Sequence, residues 1–76
     1  MSFRITSIHA FLAVDDDDEE GVIGSMTDIG WMPFVAADET RLRELEPKAI
    51  EIGKLTGKTI RLVRFSIRED LETYEP

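Results

Sequence analysis

A cysteine-free chain of 76 residues, 42% hydrophobic and 33% charged, has the composition of one small globular domain that neither disulfides nor thiolate metal sites can staple. Its formal net charge of -7, from 16 acidic against 9 basic residues, disfavours nonspecific binding to nucleic acid or anionic membranes, because phosphate attraction needs clustered Lys and Arg. A chain this short buries only about 60% of the surface its unfolded form exposes, so association is a ready source of further burial.

No apolar run approaches the roughly 20 residues that span a bilayer. The start, Met1-Ser2-Phe3-Arg4-Ile5, lacks the charged-then-apolar layout of a signal peptide, and the chain is expected in the cytoplasm.

Phe3 to Val14 reads as the first strand, apolar on both parities in its second half, as a central, covered strand would be. His9, the only histidine, reads there as a packed residue rather than a base or ligand. The acidic run Asp15, Asp16, Asp17, Asp18, Glu19 and Glu20 then joins Gly21 in a solvated hairpin loop over 15–21. Like charge at that density cannot enter a core, so the loop projects negative potential and is the candidate partner-steering segment. Asp16, Asp18 and Glu20 also alternate as in a calcium loop, with Gly21 in the sixth place. The twelfth place, however, is Thr27 instead of a bidentate Glu and the flanks are strands, so no metal site is assigned.

Val22 to Met26 reads as a second strand, with Gly24 a bulge or a point of close approach. Thr27-Asp28-Ile29-Gly30 carries turn chemistry, and Trp31 to Ala37 reads as a third strand. Pro33 has no N–H to donate, so that strand is an edge or pairs only after the proline. Asp38 is a natural helix N-cap, and Leu42, Leu45, Ala49 and Ile52 recur at helical spacing. Pro47 divides this stretch into a helical turn near 39–45 and a main helix starting at the proline, with Gly57 as C-cap. Thr59 to Ile67 is the last strand, with a bulge expected near Leu62-Val63 where the apolar parity shifts, and 69–76 is an acidic peripheral tail.

The predicted fold is therefore a single α+β domain over 1–76. It is a small mixed four-stranded sheet of order β-β-β-α-β with one helical layer on one face. A right-handed crossover leaves the last strand parallel to its neighbour, expected to be the first strand. One helix shields one face, yet large apolar residues occupy both. Either a homodimer buries the second face, or the tail folds back over it with Leu71 and Tyr74.

From Lys54 to Arg68 the chain carries five cations and no acid. Arg61, Arg64 and Arg68 are candidate anion contacts, near Trp31 in a nucleotide-type site. The alternative pairs these cations with the acidic loop or tail. No Ser-containing elbow, Gly-rich phosphate loop, metal-ligand His pair or aromatic-basic RNA platform occurs, so neither catalytic residues nor a cofactor are assigned.

Trp31-Met32-Pro33-Phe34-Val35-Ala36-Ala37-Asp38, followed by Leu45-Glu46-Pro47-Lys48-Ala49, Thr56-Gly57-Lys58 and Leu62-Val63-Arg64-Phe65, resembles a group of short phage, prophage and bacterial proteins of unknown function. The resemblance implies a mobile-element setting and interference with a host factor, and transfers no catalytic or binding residue. Two functions are expected from these observations. One is a non-enzymatic interaction protein, homodimeric and drawn to a basic host protein; the other is a small anionic-ligand binder.

Overall fold

The computed structural model describes residues 4–76, so Phe3 of the expected first strand lies outside the described residues. In chain order the elements are β1 (Ile8–Val14), β2 (Glu20–Val22), β3 (Gly24–Thr27), β4 (Gly30–Pro33), β5 (Val35–Ala36), α1 (Glu39–Thr56) and β6 (Thr59–Phe65). The architecture is α+β, with one helix packed on an antiparallel sheet.

β1 is the central strand. Along one edge it pairs with β6 in an unbroken register from Ile8↔Phe65 to Val14↔Thr59. Its other edge is shared: Leu12 to Val14 pair with β2, while His9 and Ala10 pair with β5. The bulge expected at Leu62-Val63 is absent. Both parities of β6 are apolar because both faces of the sheet carry apolar residues, with no slip between them. The first strand begins at Ile8 and the last ends at Phe65, where each loses its partner.

The expected second and third strands are each divided, at Ile23 and at Phe34. Both residues are buried, and their backbones close a ring with β1. Phe11 N–H donates to the Phe34 carbonyl (3.1 Å), Phe34 N–H to the Ile23 carbonyl (2.8 Å) and Ile23 N–H to the Phe11 carbonyl (3.1 Å). Drawing both side chains into the core with Phe11 bends the chain out of the sheet at these two points. The ten residues between them project as a separate two-stranded arm, β3–β4. Gly24 pairs with Pro33 at its base. A side chain at Gly24 would meet the Met32 carbonyl at 2.5 Å and the Trp31 ring at 2.6 Å, the close approach that the sequence suggested.

The arm also corrects the expected strand sense. The last strand does neighbour the first, but it runs antiparallel to it. Because the chain leaves the sheet at Ile23, reverses once between β3 and β4 and bends back at Phe34, β5 resumes the direction of β2. The helix then connects β5 and β6, which run the same way with β1 between them.

Asp38 caps α1, its carboxylate accepting from Arg41 N–H at 2.8 Å, and Gly57 closes the other end with φ of 71°. The helix is continuous over 18 residues and Pro47 lies inside it, against the expected division. Leu42, Leu45 and Ala49 are buried on one stripe against Phe11, Ile23, Phe34 and Ala36, and that burial carries the helix through the proline. Pro47 and Arg43 are exposed, so the Arg43 carbonyl left without its N–H partner has access to water. Residues 66–76 form no helix or strand. Leu71 and Tyr74 are 78% and 86% exposed, so the tail does not cover the second face.

Candidate interaction surface

Cross-strand register fixes the two faces of the sheet, since paired residues point the same way. Phe11, Ala13, Ala36 and Ile60 face the helix. The opposite, open face is built from Ile8, Ala10, Leu12 and Val14 of β1, flanked by Val22, Val35, Val63 and Phe65. Phe65 is 58% exposed, and Ile8 and Val22 are also exposed.

Leu12 is nonetheless buried, and the ion pair above it explains why. Arg61 on β6 and Glu20 on β2 stand on opposite sides of β1, about 10 Å apart across two strand spacings. Their side chains meet at 2.7 Å, and so bridge over β1 between Leu12 and Val14. Arg61 also approaches Asp18 at 3.9 Å, and Lys58 pairs with Asp15 at 2.9 Å. The cations after α1 are thus partly taken up by the acidic loop, as the alternative reading held. Each such half-exposed pair contributes roughly 0–1 kcal/mol.

The candidate anion contacts are not assembled into one site. Arg61 lies on the open face and Arg64 on the helix face opposite His9. Arg68 is in the tail, held by Asp70 (2.8 Å) and donating to the Ile5 carbonyl (3.4 Å). Trp31 sits on the arm, beyond the sheet edge remote from β6. His9 is half-buried, as a packed residue, with its Nδ1 enclosed and unpartnered among the described residues.

In the acidic loop, Asp18 N–H donates to the Asp15 carbonyl and Asp15 N–H to the Glu19 carbonyl, each at 2.9 Å. Asp18 completes the reversal with φ of 62°, a left-handed conformation that favours glycine. Asp18→Gly is therefore expected to stabilise the fold by about 0.5–1 kcal/mol, since relief of backbone strain outweighs the weak contact to Arg61. A urea midpoint lower than wild type would contradict this. Asp16, Asp17 and Glu19 make no ion pair among the described residues and remain exposed. Among those residues, no group of three or more His, Cys, Asp or Glu is disposed to hold a metal. An open cleft of about 580 Å³ separates the loop from the end of α1, lined by carboxylates, Thr56, Lys58 and Thr59, with no histidine.

The feature missed in sequence reading is the arm. Its signals are the Gly24 and Pro33 punctuation and the near absence of charge from Gly21 to Ala37, where Asp28 stands alone. Met26 pairs with Trp31 on one arm face, and Ile29 occupies the tip. Thr27 Oγ1 orders the turn, donating to the Gly30 carbonyl at 2.7 Å.

No family model matches the chain, and no curated protein or solved structure matches it either. Among the described residues no helix is long and apolar enough to cross a membrane.

Proposed function

We propose that this chain is a small, non-enzymatic, cytoplasmic interaction protein that self-associates as a homodimer and binds a basic macromolecular partner. The supporting observation is its surface. The chain exposes 6462 Å², against roughly 4,700 Å² for a compact monomer of its 8.6 kDa mass. The excess lies in a shape that also has a radius of gyration of 14.5 Å, where about 11 Å is usual for this length. The extended tail over 66–76 accounts for part of that excess and the apolar residues of the open face and the arm for another, and burying the latter in an interface is the use such surface normally has.

The unpaired acids Asp16, Asp17 and Glu19 stand at one end of the sheet and steer the encounter with a positively charged surface. In the setting that the phage and prophage resemblance implies, that surface belongs to a host nucleic-acid-binding protein. An anionic-ligand site has less support, because Arg61, Arg64, Arg68 and Trp31 do not converge.

The test is capture from host lysate by the wild-type chain and by an Asp16→Ser, Asp17→Ser, Glu19→Ser variant, followed by binding kinetics on the proteins retained. Association with a basic partner is expected to be several-fold slower for the variant at low salt, with the difference fading as salt rises. Equal association rates at low salt would refute the steering role.

A further inference from the structure

The arm is the least charged part of a strongly acidic chain and also the least supported. Its two strands pair with each other and with no other element, and the ring at Ile23 and Phe34 holds only its base. Two-stranded hairpins standing alone are at best marginally stable in water. Yet Met26, Ile29 and Trp31, 77%, 87% and 53% exposed, lie along its outer face and tip.

Building on the self-association proposed above, we infer that the arm of one copy seats its Met26–Trp31 face on the open sheet face of a second copy, around Ile8, Val63 and Phe65. It receives that copy's arm in return. Charge selects this occupant. Two chains of net charge -7 repel, and they approach most favourably through surfaces where charge is absent or already neutralised. The arm carries Asp28 alone, and on the open face Arg61 and Glu20 satisfy each other. Size is consistent too. A stable interface takes about 800 Å² from each partner, less than half of the roughly 1,800 Å² by which this chain exceeds a compact monomer, an excess the arm and the open face share with the tail. Reciprocal seating about a twofold axis uses both surfaces on both copies, so the assembly closes at two and does not propagate.

Trp31 is the only tryptophan, so its emission reports directly on the arm. Sedimentation and Trp31 emission would be followed together across the micromolar range for the wild type, Met26→Ser, Phe65→Ser and the helix-surface control Leu55→Ser. Far-UV circular dichroism checks that each is folded. The wild type is expected to reach twice 8.6 kDa with a concentration-dependent blue shift of Trp31. Met26→Ser on the arm and Phe65→Ser on the receiving face should each raise the dimer dissociation constant at least about tenfold, while Leu55→Ser leaves it unchanged.

A wild type that stays monomeric throughout overturns the self-association itself. A dimer that forms with wild-type affinity in Met26→Ser and without a Trp31 shift overturns the arm alone. Weakening by Met26→Ser but not by Phe65→Ser overturns the receiving face. A blue shift with neutral lipid vesicles and none with protein concentration overturns the second copy as occupant.

Discussion

Phe34→Ala is expected to lower the stability of the domain by about 3–5 kcal/mol, between a quarter and all of what holds it folded. Phe34 is 3% exposed and packs against residues of β1, β5 and α1 at the point where the arm leaves the sheet. Truncating a buried phenylalanine costs about 3–5 kcal/mol, the lost transfer energy plus the cavity left behind. A domain of this size holds roughly 4–11 kcal/mol in total, and its position in that range decides how much margin is left. The backbone ring joining Phe11, Ile23 and Phe34 does not depend on the side chain, and alanine preserves every one of its hydrogen bonds. The substitution therefore separates two accounts of the junction. If burial bends the chain there, the urea midpoint followed by far-UV circular dichroism falls steeply. If the backbone bonds suffice, the midpoint stays near wild type, and the burial account is wrong. Trp31→Ala, three residues away on the half-exposed arm, should lower stability by less than about 1 kcal/mol.

This contrast shows which parts of the fold the residues declare. Caps and turns depend on local chemistry, so Asp38, Gly57 and the Thr27–Gly30 turn are where their side chains imply; the acidic loop is shorter than the expected 15–21, because Glu20 and Gly21 already pair with β1 in β2. The adjacency of β1 and β6 was also legible from their two apolar faces, but only β1 is central; β6 pairs with β1 alone and is an edge strand, its apolar residues half-buried or exposed. The arm was not legible, because Trp31 and Phe34 look equally strand-like along the chain. One is half-exposed on a projection and the other is in the core; that difference is decided by the three-dimensional competition for space around Phe11. The parallel sense expected for the last strand failed for the same reason, since counting reversals requires knowing that the arm is there. In the site, the acidic loop was legible as surface. Which of its carboxylates would turn inward to Lys58 and Arg61 depends on a register of β1 against two partners, and no local pattern contains that.

Pro47→Ala is expected to stabilise the domain, by about 2 kcal/mol, with a melting temperature higher by roughly 10 °C at fixed protein concentration. Proline inside a helix loses the bond from its own N–H to the carbonyl four residues earlier, here Arg43, and its ring presses on that carbonyl. The full penalty relative to alanine is about 3 kcal/mol, reduced because proline also restricts the unfolded chain by about 0.4–1 kcal/mol. Nothing is lost in packing, since residue 47 is exposed and the buried stripe runs through Leu42, Leu45 and Ala49. The sign carries the information. In a helix divided at this point, Pro47 would occupy a first-turn position that suits it, and alanine would be neutral or harmful. A denaturation midpoint that rises with an unchanged slope supports the uninterrupted α1 whose stripe covers Phe11 and Ile60. A fall in the midpoint would mean that the helical layer is two pieces meeting at Pro47.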